Sequence, residues 1–192
     1  MPANTKLKIV SRANILIGGD PIPALDSSTA EAIVGETMYE DIVRDALTGM
    51  RWRFATMQEE IVTSGAEPLA RWGREYEIPG ACLMIHAITV SDNPIKYDVY
   101  NEYVYCNAQS SDTVIMDYTF RPDEAKWPPY FTLAVEFLLA GVMAVSIARD
   151  SQLASMMEQK SQQQLYKARR FDSQQQTTRK LNTSEFLTQR LS

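Results

Sequence analysis

A chain of 192 residues, 45% hydrophobic and 22% charged, has the size and balance of one ordinary globular domain, long enough to bury a real core. The polar start Met1-Pro2-Ala3-Asn4-Thr5-Lys6 lacks the basic and apolar pattern of a signal peptide, and the two cysteines, Cys82 and Cys106, lie in apolar or aromatic sequence that suits small buried hydrophobes better than a disulfide. The net charge of −5 is divided: from Lys160 onward seven basic residues oppose Asp172 and Glu185, a local +5, which leaves −10 for residues 1–159. An acidic body with a basic end points to an acidic partner surface or nucleic acid, or else to a solvated helix terminus, where basic residues are also favoured.

Ile9, Val10, Ala13, Leu16 and Ile17 recur at helical spacing, so a first helix is predicted over about Thr5–Ile17 with Gly18 as its left-handed cap. Gly18-Gly19-Asp20-Pro21 then reads as a turn, because a phosphate loop needs a preceding strand and a following Lys-Ser/Thr. Ser28-Thr29-Ala30-Glu31 has capping-box spacing. The helix it opens carries Ala30, Ile33, Val34, Met38, Ile42 and Ala46 on an expected core face, with Glu31, Glu36, Glu40 and Arg44 largely elsewhere. Helical periodicity stops at Leu47-Thr48-Gly49-Met50-Arg51-Trp52-Arg53-Phe54-Ala55. Burying one large side chain at this corner is worth about 1.5–3 kcal/mol, so Trp52 and Phe54 are expected to wedge a helical layer against a strand layer.

Residues 52–122 have strand content. Ala81–Val90 is a long apolar run, Asp92-Asn93-Pro94 marks a turn, and Tyr97–Tyr100, Tyr103–Asn107 and Thr113–Tyr118 supply further short strands. Their tyrosines fit an antiparallel sheet with one half-exposed face, or a subunit interface. After Trp127-Pro128-Pro129 a helix runs from Tyr130 to Ala148, almost wholly apolar except for Glu136 and Gly141. Its length is marginal for a membrane and Glu136 would be costly in lipid, so it is read as the centre of a bundle or an oligomer interface. Asp150-Ser151 caps a last helix carrying Leu153, Met157, Leu165, Ala168 and Phe171. The predicted architecture is α+β: a single domain over 1–172, with a helical bundle from 5–50 and 128–172 and an antiparallel β insertion at 52–122. A polar, basic segment follows at 173–192, with Phe186, Leu187 and Leu191 at helical spacing.

Catalytic chemistry is not legible. His86 is the only histidine and sits in an apolar strand, where it reads as structural. With the cysteines distant in sequence there is no zinc-ligand spacing, and Glu59-Glu60 point to opposite faces of a strand. No Gly-x-Ser-x-Gly elbow, Walker loop or dinucleotide fingerprint occurs. The chain is therefore not expected to be an enzyme, and no catalytic, cofactor or metal residue is assigned.

The ordered set Asn14-Ile15-Leu16-Ile17-Gly18, Pro21-Ile22, Leu25-Asp26, Tyr39, Arg44, the 47–55 corner, Ile78-Pro79, Cys82-Leu83 and Trp127-Pro128 resembles the tail tubular protein A family. These are the head-to-tail adaptors of short-tailed, double-stranded-DNA bacteriophages. The resemblance spans about Leu7 to Phe171. It departs at Arg51, where the family often has proline, and in the glutamine-rich stretch after Phe171. It implies a virion protein, assembled in the host cytoplasm, that forms a homo-oligomeric ring of twelve copies beneath the portal protein. The ring would receive the tail nozzle protein below, with tail fibres as a further contact, and pass double-stranded DNA without sequence-specific binding or a membrane. On that resemblance Lys167, Arg169, Arg170, Phe171, Arg179, Lys180, Phe186, Leu187 and Leu191 are portal-contact candidates. Tyr97, Tyr100, Tyr103 and Tyr105 are ring or nozzle candidates, and Trp52, Phe54 and Trp127 are core. The rival readings are a nucleic-acid-binding accessory protein using Lys160–Arg190 with Tyr166, Phe171 and Phe186, and the neck adaptor of a long-tailed phage.

Overall fold

Helix α1 (Lys6–Leu16) starts where the Thr5 side chain accepts from the Lys8 N–H, and the chain turns away at Gly18, whose φ of 89° favours glycine. The structure, a computed structural model, describes residues 4–66, 68 and 71–175. Helix α2 (Ala30–Thr48) is capped by Thr29, which accepts from the Ala32 N–H, and not by the Ser28–Glu31 box. Its buried face also differs from the expected one: Ala32, Gly35, Tyr39, Val43, Ala46 and Leu47 are inside, whereas Ile33 is 54% exposed. The cause is close packing. A Cβ on Gly35 would lie 2.3 Å from Val10 Cγ1, so glycine lets α1 and α2 touch, while Tyr39 stacks on Trp127. A stripe counted from aliphatic residues alone overlooks both.

At the corner Trp52 is fully buried and its indole N–H donates to the Ala46 carbonyl at 2.8 Å. A short 3-10 turn, Arg53–Ala55, leads into strands β1 (Thr56–Glu60), β2 (Arg74–Glu77), β3 (Cys82–Val90), β4 (Asn93–Pro94), β5 (Tyr97–Tyr100), β6 (Tyr103–Cys106) and β7 (Val114–Phe120). They form two antiparallel sheets, in spatial order β1-β7-β3-β4 and β2-β6-β5. Ser91 and Asp92 turn the β3–β4 hairpin with positive φ of 49° and 63°. Ile88, Met116 and Tyr118 of the first sheet share one core with Tyr76, Val104 and Cys106 of the second. Along one side the chain itself joins them: the Ile61 N–H donates to Val114 O, Thr63 bridges Tyr76, and the Glu77 N–H donates to Val62 O.

Helix α3 (Pro129–Ser146) is the centre of the helical layer, packed on α1, on α2 and on helix α4 (Ser151–Ser173). Phe131 gathers Trp52, Phe54 and Trp127 around it at ring separations of 5.2, 4.9 and 5.0 Å, the core expected of those aromatics. Glu136 is tolerated in α3 because Arg12 of α1 reaches its carboxylate at 3.1 Å. Asp150 caps α4 by accepting from the Gln152 and Leu153 N–H groups. On α4 the expected stripe is displaced at its end: Phe171 is 51% exposed and Asp172 is buried instead, accepting from the Arg53 N–H at 3.0 Å and the Tyr130 hydroxyl at 2.9 Å.

Candidate assembly surfaces

Three surfaces stand out, the first two set by a periodicity. On α4, burial of Met157, Ser161, Ala168 and Asp172 turns Lys167, Arg169 and Arg170 to solvent. Tyr166, 75% exposed, and Phe171 interleave with them, and Phe171 lies 6.3 Å from the Tyr130 ring, nearly parallel to it. Arg169 also reaches the Gly49 carbonyl at 3.4 Å. The other expected portal contacts, Arg179, Lys180, Phe186, Leu187 and Leu191, lie outside the described residues.

The second surface is the outer face of the β2-β6-β5 sheet. Strand alternation separates the four tyrosines: Tyr100, Tyr103 and Tyr105 share the outer face, whereas Tyr97 pairs with Cys106 on the other and packs against the core. The expected group of four is therefore three. Tyr100 and Tyr105 meet edge to face at 5.5 Å. Acids accompany them: Tyr105 stands opposite Glu75 and Asp98, and Asp98 accepts from the Trp72 indole at 3.1 Å and the Tyr100 hydroxyl at 3.2 Å. Arg71 joins them, donating to the Tyr100 hydroxyl at 3.3 Å, and an aromatic face of mixed charge suits a protein contact.

The third surface was hidden in the apolar run of α3. Helix α3 is long and apolar enough to cross a membrane, yet half of its 18-residue span is buried within this chain and Glu136 has its arginine. The uncovered part leaves Val145 61% and Leu133 37% exposed. Leu138, Gly141, Val142 and Val145 form one wall of an open groove of about 460 Å³, with Ala154 and Ser155 of α4 on the other. Hydrophobic periodicity could not reveal this face, because a helix apolar all round has no signal for which side its own chain covers.

Several of the charged groups are joined into structural pairs. Arg121 binds Glu40 at 3.2 Å and Glu124 at 2.6 Å, lies 5.1 Å from the Trp127 ring centroid, and shares Glu124 with the Tyr39 hydroxyl. Burial pushes the Glu40 and Glu124 carboxyls up, but Arg121, helped by Arg44 at Glu40 and by the Tyr39 hydroxyl and a backbone N–H at Glu124, outweighs it and holds both below the usual carboxylate range. Burial outweighs Arg12 at Glu136, whose carboxyl is raised. His86 Nε2 lies 2.7 Å from Thr119 Oγ1, and burial, with Arg51 adding to it, lowers its affinity for a proton. Among the described residues no three His, Cys, Asp or Glu side chains converge as a metal site. Asp172 carried a signal that could have been read: an acid in the last turn of a helix is disfavoured by the dipole, so it needs a reason to be there. No family model matches the chain, and no curated protein matches it.

Proposed function

We propose that this protein is the ring-forming adaptor that joins a phage portal to its tail nozzle, as its sequence resemblance implies. The observation that carries this reading is α3: a largely apolar helix leaves Leu133 and Val145 exposed, the latter beside a groove of about 460 Å³. Covering it with an identical neighbour supplies the hydrophobic free energy for association, and a heterologous contact between unlike surfaces repeats around an axis until the ring closes. The exposed cations of α4, Lys167, Arg169 and Arg170, with the basic segment beyond them, form the portal-facing end. Tyr100, Tyr103 and Tyr105 form the nozzle-facing sheet, and the acidic body lets DNA pass without holding it.

The test is to mix the purified protein with portal rings of the same phage and image the product. A ring seated on the portal supports the reading; a chain that stays monomeric and unbound overturns it. A second reading has one observation in its favour, the alternation of exposed Tyr166 and Phe171 with Lys167 and Arg170, which resembles a base-stacking strip. Tight, steeply salt-dependent DNA binding by the full chain, lost in Tyr166→Ala, would favour that reading.

A further inference from the structure

Helix α3 presents opposite sides to α1 and to the groove it shares with α4. Asn4 donates to the Thr132 hydroxyl at 3.2 Å and Arg12 reaches Glu136 at 3.1 Å, so α1 lies along the Thr132 and Glu136 side. At 3.6 residues per turn, Leu138, Gly141, Val142 and Val145 fall about 120–180° round the helix from Glu136. The groove of about 460 Å³ that they line with α4 therefore opens away from α1. Among its lining residues Glu158 is the one charged side chain, and it is exposed, with no ion-pair partner among the described residues. An occupant that fits brings an aliphatic side chain for the trough and a cation for its rim.

Such a stripe stands on the outer face of α1. Burial of Ile9, Val10, Ala13 and Asn14 turns Lys8, Arg12 and Ile15 outward, at the spacing of one helical face. Ile15 is 49% exposed, and Arg12 keeps half of its side chain in solvent while it holds Glu136. Helix α1 carries Lys6, Lys8 and Arg12 and no acid, so its field attracts Glu158. The other apolar side chains exposed on the helical layer fit less well. Ile33 stands in line with Glu36 and Glu40, which repel Glu158. Met156, Tyr166 and Phe171 belong to α4, itself a wall of the groove.

We propose that the α3–α4 groove of one copy receives Ile15 of a second copy, with Lys8 and Arg12 of that copy set against Glu158. The proposal rests on the adaptor reading and names the two unlike surfaces of its lateral contact. Because knob and groove lie on opposite sides of α3, a pair of subunits leaves one groove and one Ile15 unused. Addition then continues in one direction until the ring closes. Apolar burial supplies the association, and the charges set its register.

Two half-blocked variants of the full-length protein test it. Ile15→Asp spoils the knob and keeps the groove, whereas Val145→Asp spoils the groove and keeps the knob. Both positions are exposed, so each variant keeps the wild-type unfolding midpoint. In sedimentation over a concentration series each variant alone stays monomeric. An equimolar mixture gives a dimer and nothing larger, because one sound groove meets one sound Ile15. Glu158→Lys added to the Ile15→Asp protein weakens that dimer about ten-fold. An Ile15→Asp protein that assembles as wild type does overturns the proposal and leaves the adaptor reading standing. So does a mixture without a dimer, or a dimer that Glu158→Lys leaves undiminished. A wild-type chain that stays monomeric at every concentration and on portal rings overturns the adaptor reading itself, and the proposal with it.

Discussion

Trp52 shows how much of the fold can rest on one side chain. It is fully enclosed, its indole N–H has the Ala46 carbonyl, and its ring packs edge-on against Phe131. Truncation leaves a cavity where helical and strand layers meet, so Trp52→Ala is expected to cost about 3–5 kcal/mol in denaturant unfolding. A variant of normal stability that no longer assembles would instead place this ring at an interface. Charged residues make a different prediction at the same scale. The Glu124 carboxyl is held below its ordinary value of 4.5, so its contribution is complete above that value and is lost as pH falls through the folded-state value. Glu124→Gln should therefore destabilise the protein most near neutrality, and the deficit should shrink below about pH 4.5. Equilibrium unfolding across pH 7 to 3.5 checks the sign, and a deficit that grows with acid would reverse it.

Among the elements, those with one dominant period were legible from sequence and those set by contact were not. Helix α1 was readable because Ile9, Val10 and Ala13 repeat on one face and Gly18 stops it. The face of α2 was misjudged because Gly35 and Tyr39, neither counted as an aliphatic core residue, make its closest contacts. The tyrosines of the second sheet looked alike until register put Tyr97 on one side and the other three on the opposite side. The end of α4 was misread because an acid replaces the expected aromatic: Asp172 is held by groups from two distant elements, and no local pattern encodes a meeting across 119 residues. That anchor can be tested. Asp172→Ala removes the acceptor of the Arg53 N–H and the Tyr130 hydroxyl, two part-buried hydrogen bonds to a charged group whose loss costs on the order of 1 kcal/mol each. Hydrogen exchange should accelerate in the last two turns of α4 and along 52–55 while the β3–β7 pairing stays protected. Unaltered exchange at the helix end would show that packing on α3 alone holds it.

On the scale of the whole molecule, the proposed adaptor reading assigns its two interactions to different helices, so they can be broken one at a time. In that proposal lateral association draws on the uncovered face of α3, where burial of apolar area would drive contact and salt would have little purchase. Val145 is 61% exposed, so Val145→Asp leaves the monomer folded but places a charge in the proposed subunit contact. Rings should then fail to form, with sedimentation reporting monomer at every ionic strength. The proposed axial docking draws on exposed cations of α4, where attraction is screened beyond about 8–10 Å at ordinary salt. Arg169→Glu with Arg170→Glu should leave ring formation alone and weaken portal docking, and raising salt should weaken the wild type in the same way. Removing residues 176–192 adds a second comparison, because the cut falls beyond the Asp172 anchor and leaves α4 intact. If the apolar positions of that segment matter more than its cations, Phe186→Ala and Leu187→Ala will weaken docking more than Arg179→Ala, with little effect of salt. A Val145→Asp protein that still closes into rings would move the lateral contact off α3, and with it the observation on which the adaptor reading rests.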